Sequence, residues 1–151
     1  MIISDSTTLI ILFDLDRLEL LSNLFKKIYL PSAVYSEITY KGDIELPSFM
    51  EVVEVGGSEL LDSLQLLLDV GESEAIALAK ERGLPLIIDE KKGRKIAQNI
   101  DIKIIGLLGV IYLNITKEYL SKEEAMVFLT EAKEHGYCIS KGVVDEMLAT
   151  L

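Results

Sequence analysis

Six acidic side chains stand where folding alone gives them little reason to be. Asp5 closes the apolar run Met1-Ile2-Ile3-Ser4, and Asp89-Glu90 close Leu86-Ile87-Ile88. On a helical wheel turning about 100° per residue, Glu37 falls among Ala33, Val34 and Ile38. Glu72 falls among Ala75, Ile76 and Ala79, and Glu74 lies beside Ala77 and Leu78. Charged side chains are rarely buried without a partner. Each acid also has a plainer reading: Asp5 as a helix cap, Glu37 salt-bridged to a lysine, and Asp69-x-x-Glu72 as a capping box. If the acids instead converge, they form an oxygen-ligand site for a hard divalent cation. Such a site supports hydrolysis of phosphodiesters, which needs a nucleophilic water and neutralisation of developing charge.

Other polar groups add detail. Ser6 opens the segment after Asp5, where a hydroxyl at a helix N-terminus can meet water or phosphate. Lys91, Lys92, Arg94 and Lys95 follow the second acidic pair. They read either as a solvated helix face or as contacts to a polyanionic backbone. The single histidine, His135, rules out a His-based metal site, and Cys138 is expected in the core. No Ser-His-Asp set, GxGxxG or P-loop occurs. Phe13-Asp14-Leu15-Asp16 superficially resembles the Asp-x-Asp motif of haloacid-dehalogenase-like phosphohydrolases, but Arg17-Leu18 follows where that motif has Gly-Thr.

A length of 151 residues suits one domain spanning 1–151, able to bury roughly 70% of its unfolded surface. Half of the residues are hydrophobic and mean hydropathy is +0.34, which excludes a disordered or fibrous chain. The apolar runs fall short of the ~20 residues that span a bilayer. The first residues lack the basic, then long apolar, pattern of a signal peptide. One cysteine permits no internal disulfide, so a cytoplasmic location is expected. A net charge of −10 excludes a generic basic nucleic-acid coat. It leaves room for acids gathered around cations, which invert local electrostatics.

These side chains need a scaffold, and the hydrophobic pattern predicts one. Strands are expected over 2–5, 27–30, 51–55, 84–88 and 101–105, with 51–55 at an edge because it carries charge. Helices are expected over 7–13, from 17 to about 24, from Ser32 as cap to about 40, and over 59–68. Others are expected over 69–82 with Gly83 closing it, over 91–99 and up to 115. Ser121-x-x-Glu124 reads as a capping box, His135-Gly136 as the end of its helix, and Ser140 as the cap of a last helix. Alternating strands and helices imply a parallel sheet covered on both faces, a three-layer α/β/α sandwich. In such sheets ligands sit beyond the carboxyl ends of the strands, where Asp5 and Asp89 fall.

The ordered set of motifs resembles the PIN-domain nuclease family, particularly its short VapC-type members. It comprises Ile2-Ile3-Ser4-Asp5-Ser6, then Ile28-Tyr29-Leu30-Pro31 with Val34-Tyr35-Ser36-Glu37-Ile38. It continues through Gly71-Glu72-Ser73-Glu74-Ala75-Ile76-Ala77-Leu78-Ala79, Leu86-Ile87-Ile88-Asp89-Glu90 with Arg94, and Ile104-Ile105-Gly106 with Leu108-Gly109-Val110. The resemblance implies a five-stranded parallel sheet between helices and metal-dependent RNA hydrolysis with Mg²⁺ or Mn²⁺. It also implies an antitoxin partner and a homodimer. It matches the family's first acid to Asp5, its Glu to Glu37, its third acid to Glu74 and its fourth to Asp89 or Glu90. The helical wheel favours Glu72 over Glu74 for the third position, and both stand. Asp5 and Asp89 are expected to bind the main metal, with Glu37 and Glu74 completing the shell. Two departures are a Glu where many members have Asp in the third position, and Leu107 where related chains often carry Thr.

Overall fold

Ile2–Ser4 forms β1, the central strand of the sheet, and all three residues are buried. The computed structural model describes residues 1–151. After β1 come α1 (Ser6–Asp14), α2 (Glu19–Ser22), β2 (Ile28–Pro31), α3 (Ser32–Ile38) and β3 (Met50–Val53). Then follow α4 (Glu59–Gln65), α5 (Val70–Arg82), β4 (Leu86–Ile87), α6 (Lys91–Asn99) and β5 (Ile104–Ile105). The chain ends with α7 (Leu107–Thr116), α8 (Lys122–Glu134) and α9 (Lys141–Ala149).

The five strands are parallel in the order β3-β2-β1-β4-β5, and helices cover the sheet in an α/β/α arrangement. Charged β3 lies at the edge, as its composition predicts. The chain winds outward from β1 through β2 to β3, then crosses back to β4 and out to β5. The winding therefore reverses between β1 and β4. Open α/β sheets leave a crevice at such a switch point, outside the carboxyl ends of the strands. Ile3 pairs with Leu86 and Ser4 with Ile87, so Asp5 and Asp89 emerge side by side at that crevice. One hydrophobic cluster, with Ile3, Leu12, Leu30, Ile76 and Val110 among its members, holds the layers together.

Several elements differ from expectation. The helix expected from 17 to 24 is a single turn, Glu19–Ser22, that follows a left-handed turn at Asp16 (φ 54°). Asp14 and Asp16 are exposed at the end of α1 rather than at a strand end, which removes the haloacid-dehalogenase-like reading. Pro31, not Ser32, occupies the cap position of α3, and the Ser32 hydroxyl donates to Val53 O instead. β5 is shorter than 101–105 because Asp101 is in a left-handed turn (φ 64°). Cys138 is exposed between α8 and α9, not in the core. The expected caps form at Ser121, as a full capping box, and at Ser140. Gly83 closes α5 with φ 63°, a conformation that a Cβ would penalise.

Candidate metal centre at the β1–β4 crevice

Asp5 is tied to the sheet by its own backbone, its N–H donating to Ile87 O at 2.9 Å. The residue is 3% exposed, and its Oδ1 has no hydrogen-bond partner. Burial raises its pKa to about 7; the Ser6 backbone N–H pulls the other way, and Glu37, Asp69 and Asp89 push it up further. Three other carboxylates thus share the field around Asp5.

Asp89 is held from three directions. Leu107 N–H at the start of α7 donates to both its oxygens, at 3.0 and 3.3 Å. The Tyr137 hydroxyl donates to Oδ1 at 3.0 Å, and the Thr8 hydroxyl to Oδ2. The Leu107 contact is made by the backbone, so the absence of a Thr side chain there costs Asp89 no donor from the main chain. A Cβ on Gly106 would lie 2.7 Å from Asp89 Oδ1 and 2.6 Å from an Arg94 guanidinium nitrogen. Glycine at 106 therefore lets both groups lie against the backbone.

The third acid divides by geometry. Glu72 is buried, and its Oε2 also lacks a partner. Burial raises its pKa to about 9; hydrogen bonding with Asp69 and Glu90 and the charges of Asp69 and Asp5 add to the rise. Two carboxylates in contact must share a proton or a cation. Asp69 caps α5 by accepting from Glu72 N–H at 2.8 Å, but no capping box forms, so the Glu72 carboxylate is not tied back to the N-cap backbone and lies among Asp69 and Glu90 instead. Glu74 instead accepts from Ala33 N–H at 3.2 Å, serving the first turn of α3. Glu90 caps α6 through Gly93 N–H at 2.7 Å, a bond that lowers its pKa.

Glu37 is exposed rather than on a covered apolar face, because it is the penultimate residue of a seven-residue helix. Its Oε2 accepts from the Ser6 hydroxyl at 2.6 Å. Its carboxylate also lies so close over Gly71 that a Cβ there would collide with it. Ser6, expected to meet water or phosphate, thus holds Glu37 in this structure.

Lys91, Lys92, Arg94 and Lys95 lie on α6 and form no ion pair. Cations in the first turn oppose the helix dipole, and the Glu90 carboxylate at the N-cap offsets part of that cost. A further anion beside them would offset the rest. Thr8, Asp69 and Tyr137 join the site without having been singled out as its members. Thr8 belongs to the hydroxyl cluster after Asp5 and Asp69 to the apparent capping box, whereas nothing local marks Tyr137, 48 residues from Asp89.

No three acidic, histidine or cysteine side chains form a ready-made metal cage. Mg²⁺, however, is usually held by only one or two carboxylates and keeps several waters. The two partnerless buried oxygens, Asp5 Oδ1 and Glu72 Oε2, are hard donors in a shared negative field. These residues fit a hard divalent cation. A family model described as PIN domain matches residues 1–151. No curated protein matches the chain.

Proposed function

The chain belongs to the PIN-domain family of nucleases, and from that premise we propose that it is a metal-dependent endoribonuclease using Mg²⁺ or Mn²⁺. The observation that carries this reading is the pair of buried, partnerless carboxylate oxygens at the β1–β4 switch point. A divalent ion bound there supplies neutralisation of the phosphate's developing charge and a more acidic water. Asp5 and Asp89 would hold it, with Glu72 as the third ligand; Glu37, Glu74 and Glu90 would act through water at the rim. Asp89 is oriented for this by Leu107 N–H, Thr8 and Tyr137. Ser6 fixes the Glu37 carboxylate, leaving it free to orient an attacking water. Lys91 and Arg94 would contact the RNA backbone beside the acids.

The proposed setting is cytoplasmic, as the toxin of a toxin–antitoxin pair with a protein antitoxin. A homodimer is proposed as well, supported by the exposed Leu66, Leu67 and Val70 around the α4–α5 turn. No helix is long and apolar enough to cross a membrane. The test is cleavage of single-stranded RNA with Mn²⁺, native protein against Asp5→Asn. Cleavage by the native protein and at least a 100-fold loss in the variant are expected; equal rates would remove Asp5 from the reaction. A second reading, a PIN-like binding or regulatory domain with little cleavage, draws on the lack of a preformed cage. Calorimetric titration with Mn²⁺ separates the two, since a decayed pocket takes up no ion.

A further inference from the structure

Beside the acids lies a cavity of about 490 Å³ that their chemistry does not use. Asp89 and Arg94 form its polar end. Its walls are apolar and aromatic, with Tyr112 of α7, Tyr137 before α9, and Val143 and Met147 of α9. The volume is that of a small-molecule site, where a few polar groups fix orientation within an apolar lining. Arg94 donates one N–H to Ile88 O at 3.1 Å and makes no ion pair, so most of its guanidinium is uncommitted. Asp89 is the wall shared between the cavity and the acidic crevice. A ligand spanning both could set a negative group near Arg94 and a mostly apolar group against the tyrosine-lined wall.

We infer that this cavity is a nucleobase pocket, taking the base of a nucleotide next to the scissile phosphate of single-stranded RNA. The inference rests on the nuclease reading and deepens it to substrate selection. Unpaired RNA bases are recognised by stacking on aromatic side chains and by hydrogen bonding at their edges. Half-buried Tyr112 supplies the accessible aromatic face, with the buried Tyr137 ring behind it in the wall, and the Arg94 guanidinium supplies donors for the adjoining phosphate. Val143 is 47% exposed at the rim, so its replacement by a large side chain can fill the cavity without disturbing the core.

An abasic scan reads the pocket without cleavage. A labelled single-stranded RNA 12-mer is titrated in Ca²⁺ by fluorescence anisotropy, with one base removed at each position in turn. In the native protein one position should weaken binding about 10-fold, the scale of one base–aromatic stack. Tyr112→Ala and Val143→Trp should each weaken the intact RNA by a similar factor and flatten the scan, while Tyr112→Phe keeps it. A flat scan in the native protein, or an unchanged scan in Val143→Trp, overturns the pocket. The nuclease reading fails separately, on absent metal-dependent cleavage by the native protein.

Discussion

Above pH 7, ligand-free protein carries a charge on Asp5 that nothing around it neutralises. Asp5 ionises near 3.8 in the unfolded chain and near 7 in the fold, so the folded state holds its proton more tightly. The stability this lends is fully present below pH 3.8 and is lost as pH rises through 7. Glu72, raised from 4.5 to about 9, extends the loss in the same direction. The melting temperature of metal-free protein should therefore fall between pH 5 and 8 in scanning fluorimetry. Asp5→Asn should raise it at pH 8 by roughly 10 °C, since each tenfold change in proton affinity is worth about 1.4 kcal/mol and Asp5 rises by about three such steps. Mn²⁺ should restore the native protein at pH 8 and leave the variant unmoved. Tyr137→Phe keeps the ring but removes the donor to Asp89. It should lower kcat at least about 10-fold with KM unchanged, the loss of one hydrogen bond to a charged group. Asp5 and Asp89 were legible in the sequence because a carboxylate closing an apolar strand contributes little to the core it adjoins. Tyr137 was not, because its contact crosses the fold from a loop with no periodic pattern.

Helix α5 carries Glu72 and Glu74 in its first turns, and its neighbours separate their work. Glu74 meets Ala33 N–H; Glu74→Ala should cost about 1 kcal/mol of stability, as loss of a helix N-terminal acceptor does, with only a slight loss of Mn²⁺ affinity. Glu72→Gln should preserve or raise metal-free stability at pH 8 and weaken Mn²⁺ binding at least 10-fold by calorimetry. Equal Mn²⁺ affinities in the two variants would end the distinction. The wheel pointed to Glu72 and the family pattern to Glu74, since neither registers which helix end α5 faces. Gly71 on the same helix lies under the Glu37 carboxylate. Periodicity located α5 and α6 well because both carry their caps in the sequence, Asp69 with Gly83 and Glu90. It overran α2, which ends at Ser22 although apolar Leu24 and Phe25 continue the pattern beyond it.

Across the whole molecule, net charge is −10, and on the proposed reading the cations of α6 beside the acids are what an RNA backbone would meet. With four cations on that helix, the salt dependence of single-strand binding should be shallow. A log–log slope no steeper than about −3 is expected from roughly 0.7 per phosphate neutralised. A much steeper slope would place the binding face elsewhere. The strand order also has a consequence during synthesis. β1 sits mid-sheet, with β2 on one side and β4 on the other. The ribosome makes β1 first, and at ~5–20 residues per second needs on the order of 10 s to reach β4. Through that interval Ile3 and its open backbone edge have no neighbour, so the nascent chain offers a sticky half-sheet to chaperones. Asp5 and Asp89 do not meet until that gap closes, so a ribosome-bound fragment ending before β4 lacks the nuclease's hollow altogether.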